Sequence, residues 1–282
     1  MPRAPARPTR RSATPDRHLL YERAVQSPDA ELGLLTRLLR RAGQPALRLR
    51  EDFSGTALLS ACWVAGGPRR TAVAVDLDGA VHRWAERHRL PGLGLAARRL
   101  ELVKADVRHG PRGPFNAILA LNFSYQVFHR RADLLDYLRA ARRALAPGGL
   151  FMLDLFGGWL AQQEVVERRR IGGGVTYVWE HQSCDPITHR VRCAIHFELP
   201  GGRRLRRAFT YDWRLWTLPE LSDLFEVAGF DRIEVQWDVE PPGVEPRYRP
   251  RRQAANQGGW LAYLVGRRPG RDPGLRGRGR TA

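Results

Sequence analysis

The sequence predicts an α/β fold: a doubly wound, mostly parallel seven-stranded sheet with an inserted antiparallel β-meander. Two observations support this prediction. From residue 18 to residue 156, short apolar runs alternate with segments of helical periodicity, which is typical of strand–helix–strand units with right-handed crossovers. Between residues 157 and 216 the period changes to two, and Asp185-Pro186 and Pro200-Gly201-Gly202 are turn sequences, as expected between antiparallel strands.

The helices are indicated by apolar residues at helical spacing and by the residues at their ends. Pro28 divides the first periodic segment and suits the first turn of a second helix. Thr217, with Glu220 three residues later, predicts a capped helix that ends at Gly229. The predicted helices cover residues 18–26, 28–41, 56–64, 81–88, 134–145 and 217–229.

The strands of the main sheet are predicted from short apolar runs, whereas those of the meander alternate. Val191, Cys193 and Ile195 are expected on one face of a meander strand, with Arg192 and His196 on the other. The main strands are predicted at 47–51, 72–75, 100–104, 115–121, 150–155, 233–237 and 260–265, and those of the meander at 175–180, 191–199 and 205–213.

Composition excludes several classes of protein. The chain has 282 residues, 43% of them hydrophobic, which is enough for an α/β core, and its apolar runs are too short to cross a bilayer. The three cysteines form no CxxC pair, which argues against a disulfide framework and against a zinc site. Residues 1–16 lack the apolar stretch of a secretory signal. We expect a cytoplasmic protein with no metal and no membrane contact.

The formal net charge of +18 raises the question of nucleic-acid binding. Nearly all basic residues are arginine, with Lys104 the single lysine, which is typical of a GC-rich coding sequence. Much of the excess lies in segments 1–17 and 267–282, which are rich in proline and glycine and are predicted to be disordered basic tails around a domain at 18–266. Nucleic-acid binding is therefore possible but not favoured.

The carboxyl ends of the predicted parallel strands carry polar residues, and ligands of such sheets bind at that edge. Glu51 ends the first strand, and Asp76 ends the second, where an acid can accept hydrogen bonds from a ribose diol. The turn after the first strand, Phe53-Ser54-Gly55-Thr56, has one glycine and no GxGxxG pattern, so it does not suit a pyrophosphate. S-adenosylmethionine has no phosphate, and the sequence favours it over a nicotinamide dinucleotide.

These motifs resemble those of class I (Rossmann-like) S-adenosylmethionine-dependent methyltransferases, and more narrowly a little-characterised bacterial branch with a Glu-Asp-Phe-x-Gly-Thr first motif. The resemblance covers about residues 19–160, and residues 218–230 match the late helix of that class. It implies that Glu51 contacts the methionine amino group, that Asp76 holds the ribose hydroxyls, and that Leu77 and Asp106 contact adenine. The full set of predicted cofactor-binding residues is Tyr21, Glu51, Phe53, Ser54, Gly55, Thr56, Asp76, Leu77, Asp106, Val107, Asn122 and Ser124.

Several of these positions also have structural interpretations. Asp76 and Asp106 could cap the segments that follow them, Asp78 is favoured as a helix cap, and Tyr21 could belong to the core instead of covering the cofactor. The motif departs from the usual glycine-rich form, which has small residues at the positions of Phe53, Ser54 and Ala57.

Candidate catalytic residues lie after the fourth strand and at the end of the meander. Asn122-Phe123-Ser124-Tyr125 stands where amino-methyltransferases of this class carry Asn-Pro-Pro-Tyr, so Asn122 could accept from an amine and Tyr125 could stack on it. Tyr211 and Arg214 are expected near the substrate, with Arg214 a candidate for binding an anionic group. Methyl transfer depends mainly on positioning, and a catalytic base is optional.

The predicted function is S-adenosylmethionine-dependent methylation of a small molecule at nitrogen or oxygen, with the meander as a platform or lid over the cleft. An RNA or protein methyltransferase is the alternative enzyme, and a non-catalytic protein that keeps the fold is the alternative of another class.

Overall fold

The computed structural model describes residues 15–240 and 243–270, and this part of the chain forms two sheets and seven α-helices. The helices are α1 (Arg17–Val25), α2 (Pro28–Arg41), α3 (Leu58–Ala65), α4 (Gly79–His88), α5 (Leu90–Leu93), α6 (Arg131–Ala144) and α7 (Leu218–Ala228). The strands are β1 (Arg48–Asp52), β2 (Thr71–Asp76), β3 (Leu100–Lys104), β4 (Phe115–Ala120), β5 (Leu145–Gly157), β6 (Val165–Arg170), β7 (Thr176–Cys184), β8 (Arg190–Glu198), β9 (Arg204–Arg214), β10 (Asp231–Asp238), β11 (Tyr248–Arg251) and β12 (Trp260–Arg267).

The main sheet has eight strands in the order β11-β10-β12-β5-β4-β1-β2-β3. Strands β1 to β5 are mutually parallel where they pair, and β12 is antiparallel to both of its neighbours. The chain leaves β1 toward β2 on one side and later places β4 on the other, so the switch point of the topology lies between β1 and β4. The predicted α/β class and doubly wound sheet are confirmed.

The eighth strand, β11, is a correction to the predicted seven. It pairs only with β10, at the edge of the sheet, and contains Pro250. Proline cannot donate to a ladder of hydrogen bonds, so it is confined to edges, and a sequence pattern with proline does not indicate a strand.

The inserted meander is a separate antiparallel sheet in the order β6-β7-β8-β9. Val191, Cys193 and Ile195 are buried as predicted from their alternation, whereas Arg192 is exposed. The edge strand β6 was not predicted, because its sequence Val-Val-Glu-Arg-Arg-Arg does not alternate between apolar and polar residues.

Helices cover both faces of the main sheet, and α1 packs on the meander. One core joins α2 and α3 to the sheet, and a second joins α6 and α7 to the opposite face. Leu20 and Ala24 of α1 pack against Ile195 and Phe197 of β8. The first helix therefore holds the meander close to the carboxyl edge of the main sheet, where ligands of this topology bind.

The helix ends follow the sequence. Asp16 caps α1 by accepting from the His18 backbone N–H at 2.7 Å, and Pro28 is the first residue of α2. Thr217 and Glu220 form the predicted capping box of α7, and Gly229 ends that helix in the left-handed conformation.

The boundaries of the predicted tails need correction. Arg17 lies in α1, so the first ordered element begins inside segment 1–17. Arg267 pairs with Asp231 at 2.9 Å and ends β12, so the second tail begins later than residue 267. Residues 1–14 and 271–282 of the two predicted tails lie outside the described residues.

Candidate functional site

The carboxyl ends of the parallel strands bring most of the predicted cofactor residues to one edge of the sheet. Glu51 of β1 lies opposite Ala74 of β2 and Leu119 of β4. Asp76, the last residue of β2, lies opposite Lys104 of β3. Because these strands are parallel neighbours, the loops that follow them are adjacent in space, as the chain order predicted.

The loop after β1 has left-handed backbone at three positions, and only one of them is glycine. Phe53, Gly55 and Ala57 have φ angles of 57°, 53° and 54°, in the left-handed region that favours glycine. The Phe53 ring packs edge-to-face on Phe128 and Tyr137, with ring centroids 6.0 and 5.7 Å apart. The bulk of Phe53 is thus accommodated by the core.

Gly55 is the position in this loop where a ligand can come closest to the backbone. A Cβ atom built on Gly55 would meet nothing within 4 Å. Its N–H donates to Asp76 Oδ2 at 2.7 Å, which fixes the loop to the end of β2. The single glycine of the motif therefore faces open space, as a close approach by a cofactor requires.

Glu51 and Asp76 both have hydrogen-bond partners within the protein. Oε2 of Glu51 accepts from the Ser60 backbone N–H at 2.8 Å and from the Ser60 hydroxyl at 2.5 Å, and burial raises the pKa of Glu51 to about 7. Asp76 also accepts from the Asp78 backbone N–H at 2.9 Å. Asp78 caps α4 through the Ala80 N–H, as the sequence favoured.

The two predicted adenine contacts differ in their availability. The Leu77 side chain is 70% exposed, although it is apolar. Asp106 forms an ion pair with Arg108 at 2.7 Å, and this pair was not predicted from the sequence. Hydrogen bonds from Arg108 lower the pKa of Asp106. The Val107 side chain is buried in the core, so Val107 can offer a ligand only its backbone.

The turn after β4 is held by an acid that the sequence analysis missed. Asn122 and Phe123 have φ angles of 57° and 59°, and their backbone N–H groups both donate to Asp154 of β5, at 2.8 Å each. Asp154 is 5% exposed, and burial raises its pKa to about 7. The sequence did indicate that this acid is unusual, because Asp154 is a charged residue within the apolar run Leu150–Phe156.

Three predicted site residues after β4 and at the end of the meander, Ser124, Tyr125 and Arg214, are buried or bonded within the protein. Tyr125 is completely buried in the core, so its predicted stacking on a substrate was wrong. Ser124 donates to the Leu121 carbonyl at 2.9 Å.

Arg214, the third of these residues, has three contacts within the protein. It pairs with Glu220 at 3.1 Å, donates to the His129 carbonyl, and lies 3.8 Å from the centre of the Trp216 ring. With these contacts Arg214 joins β9 to α7, and it does not line the cavity described next.

A cavity of about 960 Å³ lies between the carboxyl edge of the main sheet and the meander. The Asn122–Phe123 turn and Asp154 form part of its wall, next to the cofactor edge. Tyr21 and Tyr211 line it as well, and their hydroxyl groups form a hydrogen bond. The Phe, Tyr and Trp side chains that line it are Tyr21, Phe123, Phe156, Tyr177, Trp179, Tyr211, Trp213, Tyr248, Trp260 and Tyr263.

A second contact joins α1 to the loop after β1. The Glu22 carboxylate accepts a hydrogen bond from the Thr56 hydroxyl and pairs with Arg89. Arg89 also donates to the Thr56 carbonyl at 3.2 Å. The helix that carries Tyr21 is thereby tied to the candidate cofactor loop.

Within residues 15–240 and 243–270, no three His, Cys, Asp or Glu side chains are placed to hold a metal ion. Over the same residues, no helix is both long enough and apolar enough to cross a membrane.

Comparisons by sequence and by structure give different results. No protein-family model and no curated protein sequence matches the chain. Among solved structures, a S-adenosylmethionine-dependent methyltransferase from Clostridium acetobutylicum is similar over 90% of this chain and 98% of its own, with 16% identity and a TM-score of 0.68.

Two further structures are similar over most of their length. One is an amino pentose methyltransferase from Micromonospora echinaspora, solved with S-adenosylmethionine and involved in calicheamicin biosynthesis. It is similar over 89% of this chain and 95% of its own, with 19% identity and a TM-score of 0.64. A sugar N-methyltransferase from a Streptoalloteichus species is similar over 95% of this chain and 99% of its own, with 21% identity and a TM-score of 0.59. The chain has the fold of these methyltransferases.

Proposed function

We propose that this protein transfers a methyl group from S-adenosylmethionine to a small molecule held in the cavity beside Asn122 and Asp154. The observation that carries the proposal is the continuity of two sites: the predicted cofactor residues share one sheet edge, and the turn after β4 belongs both to that edge and to the cavity wall. The structural neighbours that carry this fold are methyltransferases, which supports the same function.

The residues present fit this cofactor. The open space at Gly55 admits a ligand to the backbone, Glu51 and Asp76 supply acids at the ends of β1 and β2, and Leu77 offers an exposed apolar surface. S-adenosylmethionine supplies a methyl group on a positively charged sulfur. The protein's contribution is to position the acceptor in line with that methyl group and to exclude water, which the aromatic cavity walls favour.

An RNA or protein substrate is the second candidate, and the net charge of +18 is the observation that favours it. The cavity itself has the opposite charge: Asp29, Glu31, Asp154, Glu167 and Glu245 line it together with one arginine, Arg169. A negative cavity repels phosphates, so we favour a small molecule.

Calorimetric titration with S-adenosylhomocysteine tests cofactor binding directly. We expect Asp76→Asn to weaken binding about 10- to 100-fold, because one charge-assisted hydrogen bond to a ribose hydroxyl contributes about 1.5–3 kcal/mol. Asp78→Asn is the matched control: it lies two residues away, removes the same charge and affects only the cap of α4. No binding by the unchanged protein would contradict the proposal, as would equal effects of the two variants.

A further inference from the structure

Glu31 is a buried carboxylate without a counter-ion at the wall of the cavity. Its side chain is 7% exposed, and it lines the cavity from the first turn of α2. Among the described residues it forms no ion pair, and a hydrogen bond from the Ser27 backbone N–H lowers its pKa only in part. A buried charge that lacks a partner is costly unless a ligand supplies one.

The surroundings of Glu31 add further negative charge. Burial, followed by repulsion from Asp154 and Glu51, raises the pKa of Glu31 to about 8. Arg169, the one arginine of the cavity wall, is held by the Ala24 carbonyl and lies over the Tyr177 ring, 5.4 Å from its centre. This site therefore favours a cation, although the chain as a whole is strongly basic.

Aromatic rings from three different elements line the same cavity as Glu31. Tyr21 of α1, Tyr248 of β11 and Tyr263 of β12 all interact electrostatically with Glu31 and line the cavity. Tyr248 and Tyr263 meet edge-to-face, with ring centroids 4.7 Å apart. Aromatic faces around an anion bind organic ammonium groups, because the rings attract the cation while they exclude water.

We infer that the methyl acceptor is an amine, and that Glu31 with Tyr21, Tyr248 and Tyr263 forms the site that binds it as an ammonium ion. This inference rests on the proposed methyl transfer. The ammonium proton passes to the Glu31 carboxylate, which becomes a neutral acid. The nitrogen lone pair then forms the N–C bond to the methyl carbon while the C–S bond breaks, and the electron pair of that bond stays on sulfur. Total charge is conserved, since the product is a methylated ammonium ion beside a neutral thioether.

Choline and 3,3-dimethylbutan-1-ol test the site, because they have the same shape and differ in charge. Titrations are made by calorimetry on the full chain saturated with S-adenosylhomocysteine. We expect choline to bind with a Kd of about 1 mM and the neutral alcohol at least about 10-fold more weakly. Glu31→Gln should weaken choline binding about 10-fold or more and leave the affinity for S-adenosylhomocysteine within about 2-fold.

Glu86→Gln is the matched control, because Glu86 is an exposed glutamate of α4 that does not line the cavity. We expect it to change choline binding less than about 2-fold, since solvent screens an exposed charge. Equal binding of choline and the alcohol, or no choline binding at about 50 mM, would overturn the inference. Loss of S-adenosylhomocysteine binding in Glu31→Gln would also overturn it, because Glu31 would then serve the cofactor. Failure of the unchanged protein to bind S-adenosylhomocysteine is a separate result, and it would contradict the proposed function itself.

Discussion

Glu31→Gln should stabilise the ligand-free protein, and the gain should grow with pH. The pKa of Glu31 is raised from 4.5 to about 8, so the ionised form is disfavoured in the folded state. The stability that the protonated acid provides is fully present below the pKa of the unfolded chain and is lost as the pH rises to the folded pKa. Glutamine has nearly the same shape and cannot ionise, so it avoids this loss.

The size of the effect follows from the two pKa values. A shift of one unit corresponds to about 1.4 kcal/mol, so linkage gives a difference in unfolding free energy of about 1 kcal/mol at pH 5, about 3 kcal/mol at pH 7 and about 4 kcal/mol at pH 8. These are upper values, because Asp154 and Glu51 also titrate and relieve part of the repulsion. The phenols of Tyr21, Tyr248 and Tyr263 face Glu31 as well, but burial raises their pKa values and keeps them neutral over this range.

Urea denaturation of the unchanged protein and of Glu31→Gln at pH 5, 7 and 8, without ligand, measures the difference in unfolding free energy. Glu86→Gln, on the exposed side of α4, is the control and should change the unfolding free energy by less than about 0.5 kcal/mol at each pH. If Glu31→Gln left the unfolding free energy unchanged or lowered it at pH 8, Glu31 would have a cationic partner in the ligand-free protein. The inference that Glu31 binds an ammonium ion would then fail.

Three other substitutions test the remaining parts of the site. Asp154→Asn leaves one acceptor oxygen for two backbone N–H groups, so the left-handed turn at Asn122 should be misplaced. In a methyl-transfer assay kcat should then fall about 10- to 100-fold, with a smaller change in cofactor affinity. An unchanged kcat would show that the turn has no part in positioning. Gly55→Ala should cost about 1 kcal/mol in urea denaturation, because φ is 53°, and its methyl group should weaken S-adenosylhomocysteine binding at least about 10-fold; full affinity would place the cofactor elsewhere. Arg214→Met should lower stability by about 1–2 kcal/mol and leave both ligand affinities unchanged, whereas a loss of choline binding would restore Arg214 to the substrate site.

The main sheet was predictable because its strands are local features of the sequence. Mostly apolar runs of four to seven residues (72–75 and 150–156, for example) are separated by helical segments with clear end residues. The two edge strands were not predictable in this way. Strand β6 is a mostly charged edge of the meander, and β11 contains proline, so both depend on pairing with a neighbour more than on their own pattern.

The grouping of the candidate cofactor residues at one edge of the sheet was predictable for a different reason: topology places the ends of parallel strands together whatever follows them. Glu51, Asp76 and Asn122 needed only their positions along the chain to be assigned to one edge. The burial of Tyr125 and the pairing of Arg214 with Glu220 were not predicted, because these contacts are set by packing between distant elements. No local pattern distinguishes a buried tyrosine or a paired arginine from an exposed one.

Glu31 could have been found from the sequence with one further step. It lies four residues before Leu35 and seven before Leu38, on the face of α2 that is otherwise apolar. An acid on the buried face of an amphipathic helix requires a partner or a function. What the sequence could not provide was that Glu31 lines the same cavity as Asp154 and the three tyrosines, since these come from other elements.

The loop after β1 has a consequence for how related proteins can be recognised. Phe53 and Ala57 adopt glycine-like torsion angles, so a motif written in amino-acid letters does not reveal the left-handed conformation at these two positions. A description of the same segment by its φ angles does. Distant relatives with bulky residues at these positions should therefore be found by comparing backbone torsions, and a tolerant core beside the loop, such as the one that receives the Phe53 ring, marks the chains in which glycine has become dispensable.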